Sequence, residues 1–221
     1  MTTEEAICSY FSEIHLDGDQ TRFSSFKALL RDARLATNRD LDSGQKALNA
    51  DHGSWLGALA YMALLDQIGS CFRPLGTPKR KEPSILLTLG YFSNLQDDEC
   101  KAIYALRCSF AHDYSLSNVR YKRKGDQLIQ SLTHRFCVSQ GANGPVVTLP
   151  APSDRWDGKF TTIKNDRNLT HINLEKLGDL VEDVCKRVAQ LAILNQLDIS
   201  LDEGPAELFR KYSNFIAKQG D

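Results

Sequence analysis

Residues 94–117, NLQDDECKAIYALRCSFAHDYSLS, decide how the rest of the chain is read. They open as a helix. Asn94 is placed to cap it, and Asp97, Asp98 and Glu99 fill the first turn, where unpartnered N–H groups and the helix dipole favour negative charge. Cys100, Ile103, Phe110 and Tyr114 then recur at helical spacing as an apolar stripe, with Leu106 and Ala111 beside it. On that pattern Tyr114 is a core residue. Arg107 interrupts the stripe where another core residue belongs. A guanidinium there needs either a partner or an anionic ligand, because an isolated buried charge costs several kcal/mol.

Upstream, a helix capped by Asp51 is predicted over 54–72. Trp55, Leu56, Leu59, Met62, Leu64, Leu65 and Ile68 make it apolar on most sides, the mark of a central helix. Asp66 is out of place there, on the side of Leu59 and Met62, and is a candidate partner for Arg107. Earlier still, the pattern predicts a short helix ending at Ile14 and an amphipathic one over 22–36, followed by a polar loop over 37–50. The prolines of 73–83, with Lys79, Arg80 and Lys81 among them, mark an exposed loop before a helix over 84–92.

Downstream of Ser117 the period changes. Segments 119–122 and 128–138 alternate like strands about a turn at Lys124-Gly125-Asp126. Segments 145–149 and 170–172 read as further strands, and 159–164 is an optional one. Asn173 then caps a long helix over 174–197, and Pro205 opens a last one reaching about Lys218. The expectation is a mainly α single domain over 1–221. Its helical core is 1–116 and 173–221, and a small antiparallel β-rich insertion, 117–172, precedes the last two helices.

Composition narrows function by exclusion. Of 221 residues, 42% are hydrophobic and 25% charged, and the net charge is −1, so a nucleic acid or anionic membrane has to be met by a local patch. No apolar run approaches the roughly 20 residues that span a bilayer, and the N-terminus lacks the basic and apolar regions of a signal peptide. Six cysteines without C-x-x-C spacing suggest a reducing cytoplasm rather than a disulfide framework.

Arg107, His112 and Tyr114 have the spacing R-x4-H-x-Y. This resembles the HEPN superfamily, helical domains whose ribonuclease members carry Arg and His a few residues apart, and the added Tyr resembles its toxin branch. The resemblance implies a HEPN-like helical bundle and a homodimer with the site in the cleft between copies. It implies metal-independent cleavage of RNA, without cofactor, in which His112 is acid or base and Arg107 holds the scissile phosphate. Tyr114, Asp66 and Cys108 are the supporting residues. Cys108 stands where many active members have a polar residue. An antitoxin partner that adds AMP to the Tyr114 hydroxyl is a further implication.

On a regular helix five positions turn a side chain by about 500°, leaving His112 about 140° from Arg107. Either the helix ends near Ala111, or the two residues meet counterparts across a two-fold axis. The chemistry is coherent in itself. An imidazole takes the ribose 2′-hydroxyl proton or returns one to the 5′-oxygen, while the guanidinium stabilises charge on the phosphorus oxygens. Products are a 2′,3′-cyclic phosphate and a 5′-hydroxyl. Arg120, Lys122, Arg123 and Lys124, interleaved with Tyr121, follow just beyond and are candidates to hold RNA.

The same residues also fit a non-catalytic HEPN-type module binding nucleotide, RNA or a protein partner, with Arg107 and Asp66 structural. Two weaker arrangements remain. Cys108, His112, His134 and Cys137 make a zinc site unless the last pair lies on a strand, where positions three apart face opposite ways. A Cys108–His112 nucleophilic dyad lacks an orienting acid. His15, His52 and His171 have no partner in the pattern.

Overall fold

A computed structural model describes residues 22–119, 121–124, 127–130 and 133–215. The helix expected before Ile14 lies outside them. The described chain is mainly α: α1 Ser25–Ala36, α2 Trp55–Cys71, α3 Ser84–Phe92, α4 Asp97–Asp113, α5 Leu174–Ile193 and α6 Pro205–Tyr212. No helix among the described residues is long and apolar enough to cross a membrane.

α2 is the hub. It packs against α1, α3, α4 and α5, and Tyr61, Met62, Leu64, Leu65 and Ile68 are fully buried. A helix apolar on nearly every side belongs there, because only the middle of a bundle covers all of it. Ser54 caps it, accepting the Gly57 N–H at 3.2 Å. Asp51, expected in that role, instead accepts the Gly53 N–H at 3.0 Å. Where α2 crosses α3, a Cβ at Gly69 would lie 1.9 Å from the Ser84 carbonyl oxygen, so no side chain fits.

Three other helix ends depart from expectation. α4 is capped at Gln96 rather than Asn94, and the Gln96 N–H donates to Glu99 Oε2 at 2.7 Å. α5 starts as expected, with Asn173 Oδ1 accepting the Lys176 N–H at 3.1 Å. It stops at Ile193, because Asn195 turns left-handed (φ 53°) and β9 (Leu197–Ile199) pairs antiparallel with β2 (Phe72–Pro74). α6 stops at Tyr212, where β10 (Ser213–Phe215) pairs with β1 (Arg22–Ser24).

The insertion is a mixed sheet, which corrects the antiparallel expectation. β3 (Ser117–Asn118), β6 (His134–Ser139), β8 (Leu169–Asn173) and β7 (Val147–Thr148) lie in that order. β3–β6 and β7–β8 run antiparallel, but the central pair β6–β8 runs parallel, Arg135 opposite Leu169 through Ser139 opposite Asn173. Parallel neighbours need a long crossover. Segment 140–168 supplies it through β7 and three short 3-10 turns, one of them at Phe160–Thr162 where a strand was an option. β4 (Tyr121–Lys124) and β5 (Gln127–Gln130) form a separate antiparallel hairpin with Lys124 opposite Gln127. Phe136, Val147 and Ile172 join the same apolar core as the helices.

Candidate functional site

Arg107 closes on Asp66. Its Nε donates to Asp66 Oδ2 at 2.6 Å across the seam between α4 and α2. The other carboxylate oxygen accepts the backbone N–H of Ile85 at 3.2 Å. That N–H is an orphan donor of the first turn of α3, whose cap residue, Pro83, has no side-chain acceptor. Asp66 therefore has a structural post independent of Arg107. The pair is not sealed: the Arg107 side chain keeps 32% of its exposure and Asp66 24%. Neither terminal nitrogen of Arg107 bonds to a described residue. One donor fixes the guanidinium and the two-pronged end is left over.

At the other end of the seam Trp55 of α2 stacks on Phe110 of α4, with centroids 5.0 Å apart and planes at 15°. Beside the seam lies a strip of partly exposed, mostly apolar positions: Leu56, Leu59, Ala60 and Ala63 on α2, Tyr104, Ala111 and Tyr114 on α4. Arg107 is set among them.

His112 does not join Arg107 within this chain. α4 runs unbroken to Asp113, which removes the alternative in which it ends near Ala111. His112 is exposed, about 140° round the helix, and has no hydrogen-bond or ion-pair partner among the described residues. Cys108 is buried at 4% exposure, so its thiol sits away from solvent. Arg120 lies outside the described residues; Lys122, Arg123 and Lys124 lie on β4 with Tyr121.

Tyr114 departs from the core placement its stripe position suggests. The helix ends on it. Its backbone is left-handed (φ 51°), the Ser115 N–H returns to the Ser109 carbonyl at 3.2 Å, and the ring is 45% exposed. Glycine is the usual occupant of that conformation, since a Cβ there costs about 1–2 kcal/mol.

The zinc arrangement fails on the sheet. His134 and Cys137 both lie on β6, three positions apart, and among the described residues no group of three or more His, Cys, Asp or Glu could hold a metal ion. His134 stacks on Phe136, with centroids 5.5 Å apart, and its Nδ1 lies 3.0 Å from Thr170 Oγ1. Burial, aided by the nearby Arg155 cation, pushes its pKa down to about 4.

A second charged constellation is larger than the first and was not legible in advance. Glu175, Asp179 and Glu182 share one face of α5, and the end of α1 and the loop after it meet them with Arg34, Arg39 and Lys46. Arg34 donates Nε and Nη2 to the two oxygens of Glu182 (2.9 and 2.7 Å) and Nη1 to the carbonyls of Leu41 and Asp42 (2.6 and 2.8 Å). The Tyr61 hydroxyl donates to Glu182 at 2.9 Å. Arg39 reaches Asp179 at 2.8 Å, and Lys46 bridges Glu175 and Asp179 at 2.6 and 2.9 Å. Burial alone would raise the Asp179 pKa; the bonds from Lys46 and Arg39 outweigh it and hold the carboxyl below its usual range. The loop also bounds an open hollow of about 820 Å³, lined by Arg39, Lys46 and Asp40 among others. The two cations there are already balanced by α5. This constellation is a clamp holding the loop to the bundle.

The chain matches no family model, no curated protein and no solved structure. Function is therefore argued from these side chains.

Proposed function

We propose that the chain is a HEPN-like, metal-independent endoribonuclease of toxin or defence type, acting as a homodimer in the cytoplasm and held in check by an antitoxin. One observation carries the reading. Among the described residues nothing bonds to either terminal nitrogen of Arg107, which stands partly exposed in an apolar strip. Arg34, held for structure alone, has all three of its nitrogens bonded. Asp66 aims Arg107 and leaves the fork that suits a phosphate's paired oxygens.

Because His112 lies round the helix from Arg107, the site needs a second copy. Two copies related by a two-fold axis alongside α4, on the side between Arg107 and His112, bring both arginines and both histidines to one cleft. One imidazole takes the 2′-hydroxyl proton as that oxygen attacks phosphorus, and one imidazolium protonates the 5′-oxygen as its bond to phosphorus breaks. Arg107 stabilises the charge gathered on the phosphorus oxygens meanwhile.

Single-stranded RNA incubated with the purified protein in chelator should yield 2′,3′-cyclic phosphate and 5′-hydroxyl ends, and His112→Ala should stop the reaction. Sedimentation should return twice the chain mass. A strict monomer, or cleavage that survives His112→Ala, removes the nuclease. What then stands is a non-catalytic HEPN-type module for nucleotide, RNA or protein, favoured by Asp66 being needed at Ile85 whether or not Arg107 meets a ligand.

A further inference from the structure

We propose that Trp55 and Tyr114 form a stacking platform for one nucleobase of single-stranded RNA, at the other end of the seam from Arg107. The inference rests on the reading of Arg107 as a phosphate holder and adds what the strand does next.

Three rings make the platform. Phe110 is its floor, buried at 2% exposure. Trp55 stacks on that floor, while Tyr114 tilts against Phe110 at 5.5 Å and 41° and against Trp55 at 5.3 Å and 52°. The two upper rings are partly exposed. Neither the Trp55 indole N–H nor the Tyr114 hydroxyl bonds to a described residue. The rings are thus held by one another, and no hydrogen bond among the described residues ties down their edges.

Placement ties the platform to Arg107. Tyr114, the residue that ends α4, follows Arg107 by seven positions, nearly two full turns, which places its Cα over Arg107's face of the helix, roughly 10 Å along the axis. Trp55 and Asp66, eleven positions apart on α2, also share a face. A strand laid along the seam meets a cation at one end and rings at the other. Asp113, exposed beside Tyr114, repels a phosphate from the aromatic end and leaves it to the base.

The backbone points the same way. The helix stops on a left-handed tyrosine, where glycine would be easier, and that conformation is what sets the ring against Trp55. Every base has a π face, so such a platform tolerates sequence, whereas a duplex keeps its bases stacked and unavailable.

The test is binding of an uncleavable 2′-O-methyl oligoadenylate, followed by anisotropy of a labelled strand. Tyr114→Ala should weaken binding roughly five- to hundredfold, the range for loss of one stacked base. Tyr114→Phe should bind as the parent does, and the same oligomer in a duplex should bind far more weakly. Only two tryptophans are present, so Trp156→Phe leaves Trp55 as a reporter whose fluorescence the single strand should quench.

Equal binding by Tyr114→Ala, or equal binding of the duplex, overturns the platform. The two proposals fail separately. RNA cut at the parental rate by Tyr114→Ala leaves the nuclease and removes the platform. Quenching and stacking-dependent binding without any cleavage leave the platform and remove the nuclease. No binding of nucleic acid by the parent chain removes both.

Discussion

Two guanidinium groups in this molecule face the same physical problem and are treated in opposite ways. Arg34, 8% exposed, uses all three nitrogens: two on Glu182 and one on the carbonyls of Leu41 and Asp42. Arg107, also set in an apolar stripe, uses only Nε toward the described residues. Arg34 must be saturated because water cannot reach it, and any donor left over would add a desolvation cost with nothing to offset it. The terminal nitrogens of Arg107, without a partner among the described residues, can stay so because solvent reaches the side chain. An arginine on a core helix is thus informative less for being there than for how many donors it keeps.

The contrast has measurable consequences, largest at Arg34. Arg34→Met strands the Glu182 carboxylate in the core with Tyr61 as its remaining side-chain donor among the described residues, and removing one partner of a buried pair costs about 3–5 kcal/mol. Urea unfolding should show that loss, and a loss under about 1 kcal/mol would mean that the clamp is ornamental. Arg107→Gln should do the reverse. Stability should change by about 1 kcal/mol or less, because solvent reaches both partners of the pair. RNA cleavage should fall by about 10²–10³, the usual penalty for deleting a donor to the transition state. If Arg107→Gln unfolds the protein as readily as Arg34→Met does, the distinction collapses and Arg107 is structural.

His134 shows a third solution to burial, which is to give up the charge. Its pKa is held near 4, below the ordinary imidazole value of 6.5, by burial and the Arg155 cation. Between those two values the unfolded chain binds the proton that the folded one refuses. Stability is therefore complete above about pH 6.5, falls as the pH drops, and stops falling from this source near pH 4. The loss should be about 2 kcal/mol after allowing for the part of the ring that solvent reaches. His134→Gln, which retains a partner for Thr170, should flatten that stretch of the stability–pH curve. An unchanged slope would assign it to other groups.

Legibility followed the range of the interactions. Helices α1, α4 and α5 were readable because burial on one face imprints a local period, α2 and α3 because they are apolar runs, and Asn173 announced the start of α5. The Asp66–Arg107 pair was readable although 41 positions separate the two, because each was a charge on an apolar stripe. The Arg34 clamp was not. Glu175, Asp179 and Glu182 lie on the polar flank of α5, where acids ordinarily face water, and their partners sit in a stretch read as plain loop. The parallel β6–β8 pair escaped because neither strand carries any mark of its neighbour. Trp55 passed for a core residue and Tyr114 likewise. A helix end one residue earlier or later is invisible in a periodic pattern, yet it decides whether the last ring packs inward or lies open.

The smallest expected effect is the most discriminating, because Asp66 serves both readings of Arg107 at once. Asp66→Ala removes the acceptor for the Ile85 N–H and should cost about 1 kcal/mol, as loss of a helix cap does. Faster amide exchange should be confined to the first turn of α3. Asp66→Asn keeps an oxygen for Ile85 but no longer presents a carboxylate to Arg107, so it should recover most of the stability. If Arg107 works on a phosphate, its guanidinium is now unaimed, and cleavage should stay low although the fold has returned. Recovery of both together would show that Arg107 needs no orienting acid. Recovery of neither would mean that the ion pair, rather than the cap, is what α3 depends on. Only the split outcome, stability without activity, is produced by an aspartate that caps one helix and aims the arginine of another.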